Sequence, residues 1–272
     1  MTDNNKPYIK VEHLKKYFST KRGMLHAVDD VSFEIQRGET LGLVGESGCG
    51  KSTLGRCLIR LLDSTSGSVM LQNPEDGSCI DVTKVDAATM KDLRKRVQIV
   101  FQDPYSCLNP RLSVWELIAE PLMVNRVYSD KAAMRKRIRE LMSTVGLAER
   151  LENSYPHELD GGRRQRIGIA RSLALTPEFI VLDEPVSALD VCIQAQVLNL
   201  LNELQKEFNY TYVFISHNLS VVKHVSDRIA VMYLGQIAEL SEYRELFKNP
   251  MHPYTQALLS AIPSPDPHLS RK

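Results

Sequence analysis

The nine residues Gly45–Thr53 read GESGCGKST, directly after the apolar run ETLGLV and directly before KSTLGRCLIRLL, which reads as a helix. A glycine-rich loop ending in Gly-Lys-Ser/Thr between a strand and a helix is a phosphate-binding loop. Its glycines let backbone N–H groups converge on a β-phosphate, and the helix N-terminus adds positive potential there. Gly45, Glu46, Ser47, Gly48, Cys49, Gly50, Lys51, Ser52 and Thr53 are therefore the first candidate contacts. Lys51 is expected to reach the β- and γ-phosphates, Ser52 to hold Mg2+ and Thr53 to donate to a phosphate. Such a loop constrains the fold, because it needs a buried strand behind it and a helix in front.

The remaining pattern agrees. Residues 8–12 and 31–35 read as short strands with a turn at 21–23, and SGSVML and SCIDV as further short strands. RVQIVFQ, EFIVLDEP and TYVFIS read as core strands, and RIAVMYL with QIAEL as a hairpin around Gly235. Val197, Leu200, Leu201, Leu204 and Phe208 mark an amphipathic helix. Strands alternating with helices argue for a mainly parallel sheet covered on both faces. Residues 113–175 interrupt it with helical periodicity: Met134, Ile138, Leu141, Met142 and Val145 fall on one face. Lys131, Arg135, Lys136, Arg137 and Arg139 fall on the other. With no interleaved aromatics they read as a solvated face rather than a nucleic-acid surface.

Composition removes other classes. A net charge of +1 over 272 residues makes no global case for a nucleic-acid or membrane surface. No apolar run approaches the roughly 20 residues of a membrane span, and no signal peptide opens the sequence. The five cysteines show no CxxC spacing and read as free thiols of a reducing, cytosolic compartment.

Four further residues carry chemistry. Asp183 and Glu184 end a buried strand, where a carboxylate suits a nucleotide-bound Mg2+ and the next acid can orient or deprotonate a water. His217 follows the next strand and is placed to hydrogen-bond a γ-phosphate. Gln102, at the end of VQIVFQ, is placed to touch Mg2+ or the water.

GESGCGKST, Gln102, LDGGRRQR, FIVLDEP, SALD and SHN occur in one order along nearly the whole chain. In this the sequence resembles the ATP-binding cassette family. The resemblance implies an α/β fold: a P-loop NTPase, RecA-like core sheet with an antiparallel N-terminal β-subdomain and an inserted helical subdomain. The ATPase domain would cover 7–245, with core 7–105 and 176–245 and helical subdomain 106–175. A tail follows at 246–272, and its five prolines suggest an appendage rather than core. The family also implies a head-to-tail dimer, each ATP lying between one chain's phosphate loop and the partner's LSGGQ-type signature. Ser187, Ala188, Leu189 and Asp190 then form the dimer D-loop, and Tyr17 stacks on adenine, with Phe18 as the alternative. The surface around Tyr105–Arg111 would receive a cytosolic helix of a membrane subunit. QDPYSCLNPRLSV and NPMHPYTQALLSAIPSPDP resemble the oligopeptide, dipeptide and nickel importers. Those pair two different ATPases under two permease subunits with an external binding protein, at the cytoplasmic face of the membrane. Some relatives hold an iron–sulfur cluster in the C-terminal region; no cysteine follows Cys192, so none is expected. A soluble cassette acting on nucleic acid or ribosomes is the rival class, and the importer-like tail argues against it.

The signature departs from its family: Asp160-Gly161-Gly162-Arg163 stands for Ser-Gly-Gly-Gln. Asp caps a helix about as well as Ser, so folding is unaffected. A lost hydrogen bond to a phosphate costs about 1.5–3 kcal/mol. A carboxylate roughly 4 Å from a phosphate charge adds repulsion of order 4 kcal/mol at an effective dielectric near 20. Arg163 or Arg164, within reach on the first turn, can neutralise Asp160 or rewire the site. An impaired site is the favoured reading. A homodimer would then carry two altered sites, so the expected partner is a second, non-identical ATPase.

Overall fold

The computed structural model describes residues 6–73 and 76–261, and the chain divides into two compact units, Met1–Val85 with Val213–Lys272, and Asp86–Tyr212. The first unit opens on a long hairpin, β1 (Ile9–Thr20) and β2 (Gly23–Ile35), paired antiparallel from Ile9↔Ile35 out to Thr20↔Gly23. The apolar alternation marks only its inner ends, 8–12 and 31–35. The outer half is polar and exposed, so backbone pairing rather than burial carries the strands there. β3 (Thr40–Val44) is buried throughout and feeds the phosphate loop and α1 (Lys51–Leu58). β4 (Ser66–Gln72) and β5 (Cys79–Asp81) complete an antiparallel sheet in the order β2-β1-β4-β5.

The second unit begins with α2 (Ala87–Arg96), which apolar periodicity does not announce because only Met90 and Leu93 are buried on it. Its signal is the cap: Asp86 accepts the Thr89 N–H at 2.7 Å. β6 (Val97–Val100) follows, then α3 (Pro104–Cys107) and α4 (Val114–Val124). α4 starts at a reciprocal Ser113–Glu116 capping box. α5 (Lys131–Thr144) buries Met134, Ile138, Leu141 and Met142, the face its spacing predicts. Its opposite face is not simply solvated. Arg135 and Arg139 both reach Glu152, at 2.9 and 3.2 Å, and that carboxylate is almost wholly buried. α6 (Gly161–Leu173) leads to β7 (Phe179–Asp183), which pairs parallel with β6. α7 (Val191–Phe208) buries Val197, Leu200, Leu201 and Leu204, but Phe208 is exposed in the last turn, where the stripe runs off the unit.

The chain returns to the first unit within β8 (Thr211–Ser216), then α8 (Leu219–Val225), β9 (Arg228–Tyr233) and β10 (Gln236–Glu242). There the strand order is β10-β9-β3-β8, with β9 parallel to β3 and antiparallel to β10. Leu234 and Gly235, both at positive φ (45° and 86°), make the two-residue hairpin turn. α9 (Tyr243–Lys248) and α10 (Pro253–Ser260) end the described chain. Far from hanging off as an appendage, α10 buries Thr255 completely. Pro263, Pro265 and Pro267 lie outside the described residues.

Candidate nucleotide site

In the first unit the phosphate loop is pressed against backbone. A Cβ on Gly45 would meet the Met232 carbonyl at 2.2 Å, and one on Gly50 would meet that of Ala27 at 1.9 Å. Both glycines also hold positive φ, 151° and 109°, so no side chain fits at either position. Gly48 holds φ 85° with open space where a Cβ would stand. Lys51 is buried, and its Nζ donates to the carbonyls of Gly45 and Glu46, each at 2.8 Å. The ammonium thus lies across the arch of its own loop. Cys49 is buried beside it, and burial pushes its thiol pKa up against the pull of Lys51. Glu46, Ser47 and Gly48 are exposed at the crest, while Ser52 and Thr53 stand half-buried in the first turn of α1.

Tyr17 lies in the outer part of the β1–β2 hairpin, paired with His26. Its ring stacks on His26, centroids 4.0 Å apart, and its hydroxyl donates to Asp29. That bond raises the phenol pKa and lowers that of Asp29. His26 is a residue the sequence did not single out, since the hairpin's outer register was not legible. Phe18 lies under Lys16 instead, whose Nζ is 4.9 Å from its centroid. His217 is exposed directly after β8, and the neighbouring Asn218 caps α8 by accepting the Ser220 N–H at 3.0 Å.

The second unit holds the acids. Asp183 is the buried last residue of β7, and Glu184 follows in a left-handed conformation, φ 49°. A non-glycine residue there stores strain, a feature that clusters at functional sites. Gln102 lies two residues past the end of β6, in a loop rather than on the strand, because the strand stops at Val100. The loop brings it to the acid: Gln102 Nε2 donates to Glu184 Oε2 at 2.9 Å. The Glu184 carbonyl in turn accepts from Ser187, both backbone N–H (3.2 Å) and hydroxyl (3.1 Å). Ser187, Ala188 and Asp190 are exposed, Leu189 is half-buried, and Asp190 caps α7.

Asp160 caps α6, accepting the Arg163 N–H at 2.8 Å, and the Arg163 guanidinium lies 3.4 Å from its other oxygen. Arg164 takes no part: it is buried, donates to the Pro156 carbonyl and lies 3.8 Å over the Tyr105 ring. Of the two arginines weighed as a counter-charge, Arg163 is the one engaged. The signature glycines have a packing reason within this chain. A Cβ on Gly162 would meet Ile193 Cγ2 at 2.5 Å, and one on Gly161 would meet Leu189 at 3.1 Å. Close approach of α6 to the start of α7 therefore requires Gly162, while at Gly161 the contact is tight but falls on the end of a flexible side chain.

Comparison with known proteins gives this arrangement a context. Residues 28–187 match the family model described as "ABC transporter", and residues 238–272 match "Oligopeptide/dipeptide transporter, C-terminal region". The oligopeptide transport ATP-binding protein OppF of Bacillus subtilis is 54% identical over 263 residues, covering 97% of this chain and 85% of that protein. OppF of Haemophilus influenzae is 49% identical, covering 96% of this chain and 77% of that protein. Among solved structures, the ATP-binding cassette MJ0796 bound to ADP and Pi, a dimer, superposes with a TM-score of 0.77 at 29% identity, covering 87% of this chain and 99% of that one.

Proposed function

The chain belongs to the ABC transporter family and hydrolyses ATP, and from that premise we propose that it is one of two non-identical ATPases driving a peptide importer. The observation that carries the asymmetry is Asp160, a carboxylate at the cap position where the family signature has a serine. Its negative charge is only partly offset, because the Arg163 pair is half-exposed and therefore screened.

Each residue takes a task its placement suits. Tyr17 stacks on adenine, and the N–H groups of Ser47–Thr53 with Lys51 hold the phosphates. Ser52, Gln102 and Asp183 are oxygen donors of the kind Mg2+ prefers. Mg2+, when bound with ATP, neutralises phosphate charge. Glu184 takes the proton of the attacking water, with Gln102 holding its carboxylate in place. His217 hydrogen-bonds the γ-phosphate. Asp160, Gly161, Gly162 and Arg163 face the partner's ATP, and Ser187–Asp190 line the contact between cassettes. The division into a core, a helical insertion at 106–175 and a tail belongs to the same reading.

The chain would sit at the cytoplasmic face of the membrane under two permease subunits, which would carry the peptide delivered by an external binding protein. Among the described residues no helix is long and apolar enough to cross a membrane. A groove of about 470 Å³ in the second unit, lined by Phe101, Pro104, Cys107, Leu108, Val124 and Arg171, suits an amphipathic helix from a permease. The peptide cargo follows the names and the shared C-terminal region of the relatives. The test is Asp160→Ser in the assembled transporter: ATP turnover rises. Unchanged or lower turnover would mean that Asp160 and Arg163 form a rewired, working site.

A further inference from the structure

We propose that Tyr254 is a positioning residue for ATP binding, through which the C-terminal segment sets the affinity of the phosphate loop. The proposal rests on that loop being the ATP site of the subunit described above. The Glu46 N–H donates to the Tyr254 hydroxyl at 3.1 Å, although 208 residues separate them in sequence. Glu46 begins the loop's first arm, and its carbonyl is one of the two that hold Lys51 Nζ. The Cys49 carbonyl on the second arm accepts the Gly235 N–H at 3.0 Å. The loop is thus held at both arms, by α10 on one side and by the β9–β10 turn on the other.

The segment carrying Tyr254 is itself fastened. The Glu239 carboxylate on β10 accepts the Met251 and His252 N–H groups at 2.9 and 3.0 Å. His252 Nδ1 accepts the Tyr254 N–H at 3.1 Å and caps α10. The Tyr254 ring packs on Tyr233, centroids 4.3 Å apart, at the end of β9. These contacts place the hydroxyl before nucleotide arrives. They also commit the Glu46 N–H to the Tyr254 hydroxyl. Ordering a glycine-rich loop in advance removes an entropy cost from binding.

Tyr254→Phe keeps the ring and its packing and removes only the acceptor. In the full chain, titration with ATP and steady-state hydrolysis should show Kd and KM raised about three- to tenfold, the range of one hydrogen bond, with kcat unchanged. Amide hydrogen exchange should show Glu46 losing protection while Tyr233 keeps its own. A merely structural role would lower the melting temperature without splitting KM from kcat. Unchanged ATP affinity together with unchanged protection at Glu46 would overturn the proposal while leaving the ATPase intact. A wild-type chain that bound no ATP would overturn both the site assignment and the proposal.

Discussion

At the scale of single residues, Gly162 shows how a signature glycine serves the fold. Gly162→Ala drives a methyl into Ile193, and overpacking of this kind costs about 1–3 kcal/mol. Thermal melting should register that loss, and adding Ile193→Ala should recover most of it, since it removes the obstructing methyl. Glu184 is the opposite case, an acid in a left-handed backbone (φ 49°) to which we assign the proton-accepting role. Glu184→Gln should bind ATP but not turn it over, and it should accumulate closed dimers with the partner. Normal turnover in that variant, measured as phosphate release, would remove Glu184 from the proton-accepting role. Both residues stood out in the sequence by motif. What the sequence did not reveal is the left-handed backbone at Glu184, which no motif specifies, or the groups Arg164 serves, the Pro156 carbonyl and the Tyr105 ring, which only the fold brings to it.

At the scale of elements, legibility followed burial. β3, β7 and β8 are buried throughout and mostly apolar, and were readable as core strands; α2 and the outer β1–β2 hairpin bury too little for periodicity to register. The basic face of α5 is largely solvated, as read, but two of its arginines also reach a buried acid that the sequence did not point to. That acid, Glu152, lies in a turn that no pattern marks, yet it ties α5 to the approach to α6. Glu152→Gln should destabilise the chain by about 1.5–3 kcal/mol, the range for hydrogen bonds to charged groups, as read by chemical denaturation. The clip on α10 carries a pH signature. Burial opposes the charge on Glu239, but the N–H groups of Met251 and His252 outweigh it and hold its pKa below the ordinary 4.5. A depressed carboxylate stabilises the fold above its unfolded pKa, and that contribution disappears as pH falls through the lower folded value. Exchange at the Met251 and His252 amides should therefore accelerate below about pH 4.5, beyond the intrinsic pH effect. Glu239→Gln should abolish that pH dependence.

At the scale of the whole molecule, the order of motifs made the family readable from the chain alone, and the parallel strands and phosphate loop agree with it. The C-terminal segment was the least legible part: its prolines suggested an appendage, whereas the Met251 and His252 N–H groups and the Tyr254 hydroxyl bind it to β10 and to the phosphate loop. Asp160 has the cap role that its side chain predicts, with Arg163 as its counter-charge. Asp160 leads us to propose that two unequal ATP sites are built from two different cassettes. This is tested most directly by the ATPase rate of the purified chain alone and after mixing with the companion ATPase of its transporter. Slow hydrolysis by the chain alone and a marked rise on mixing are expected. A chain that dimerises with itself and hydrolyses ATP as fast without the companion would contradict it.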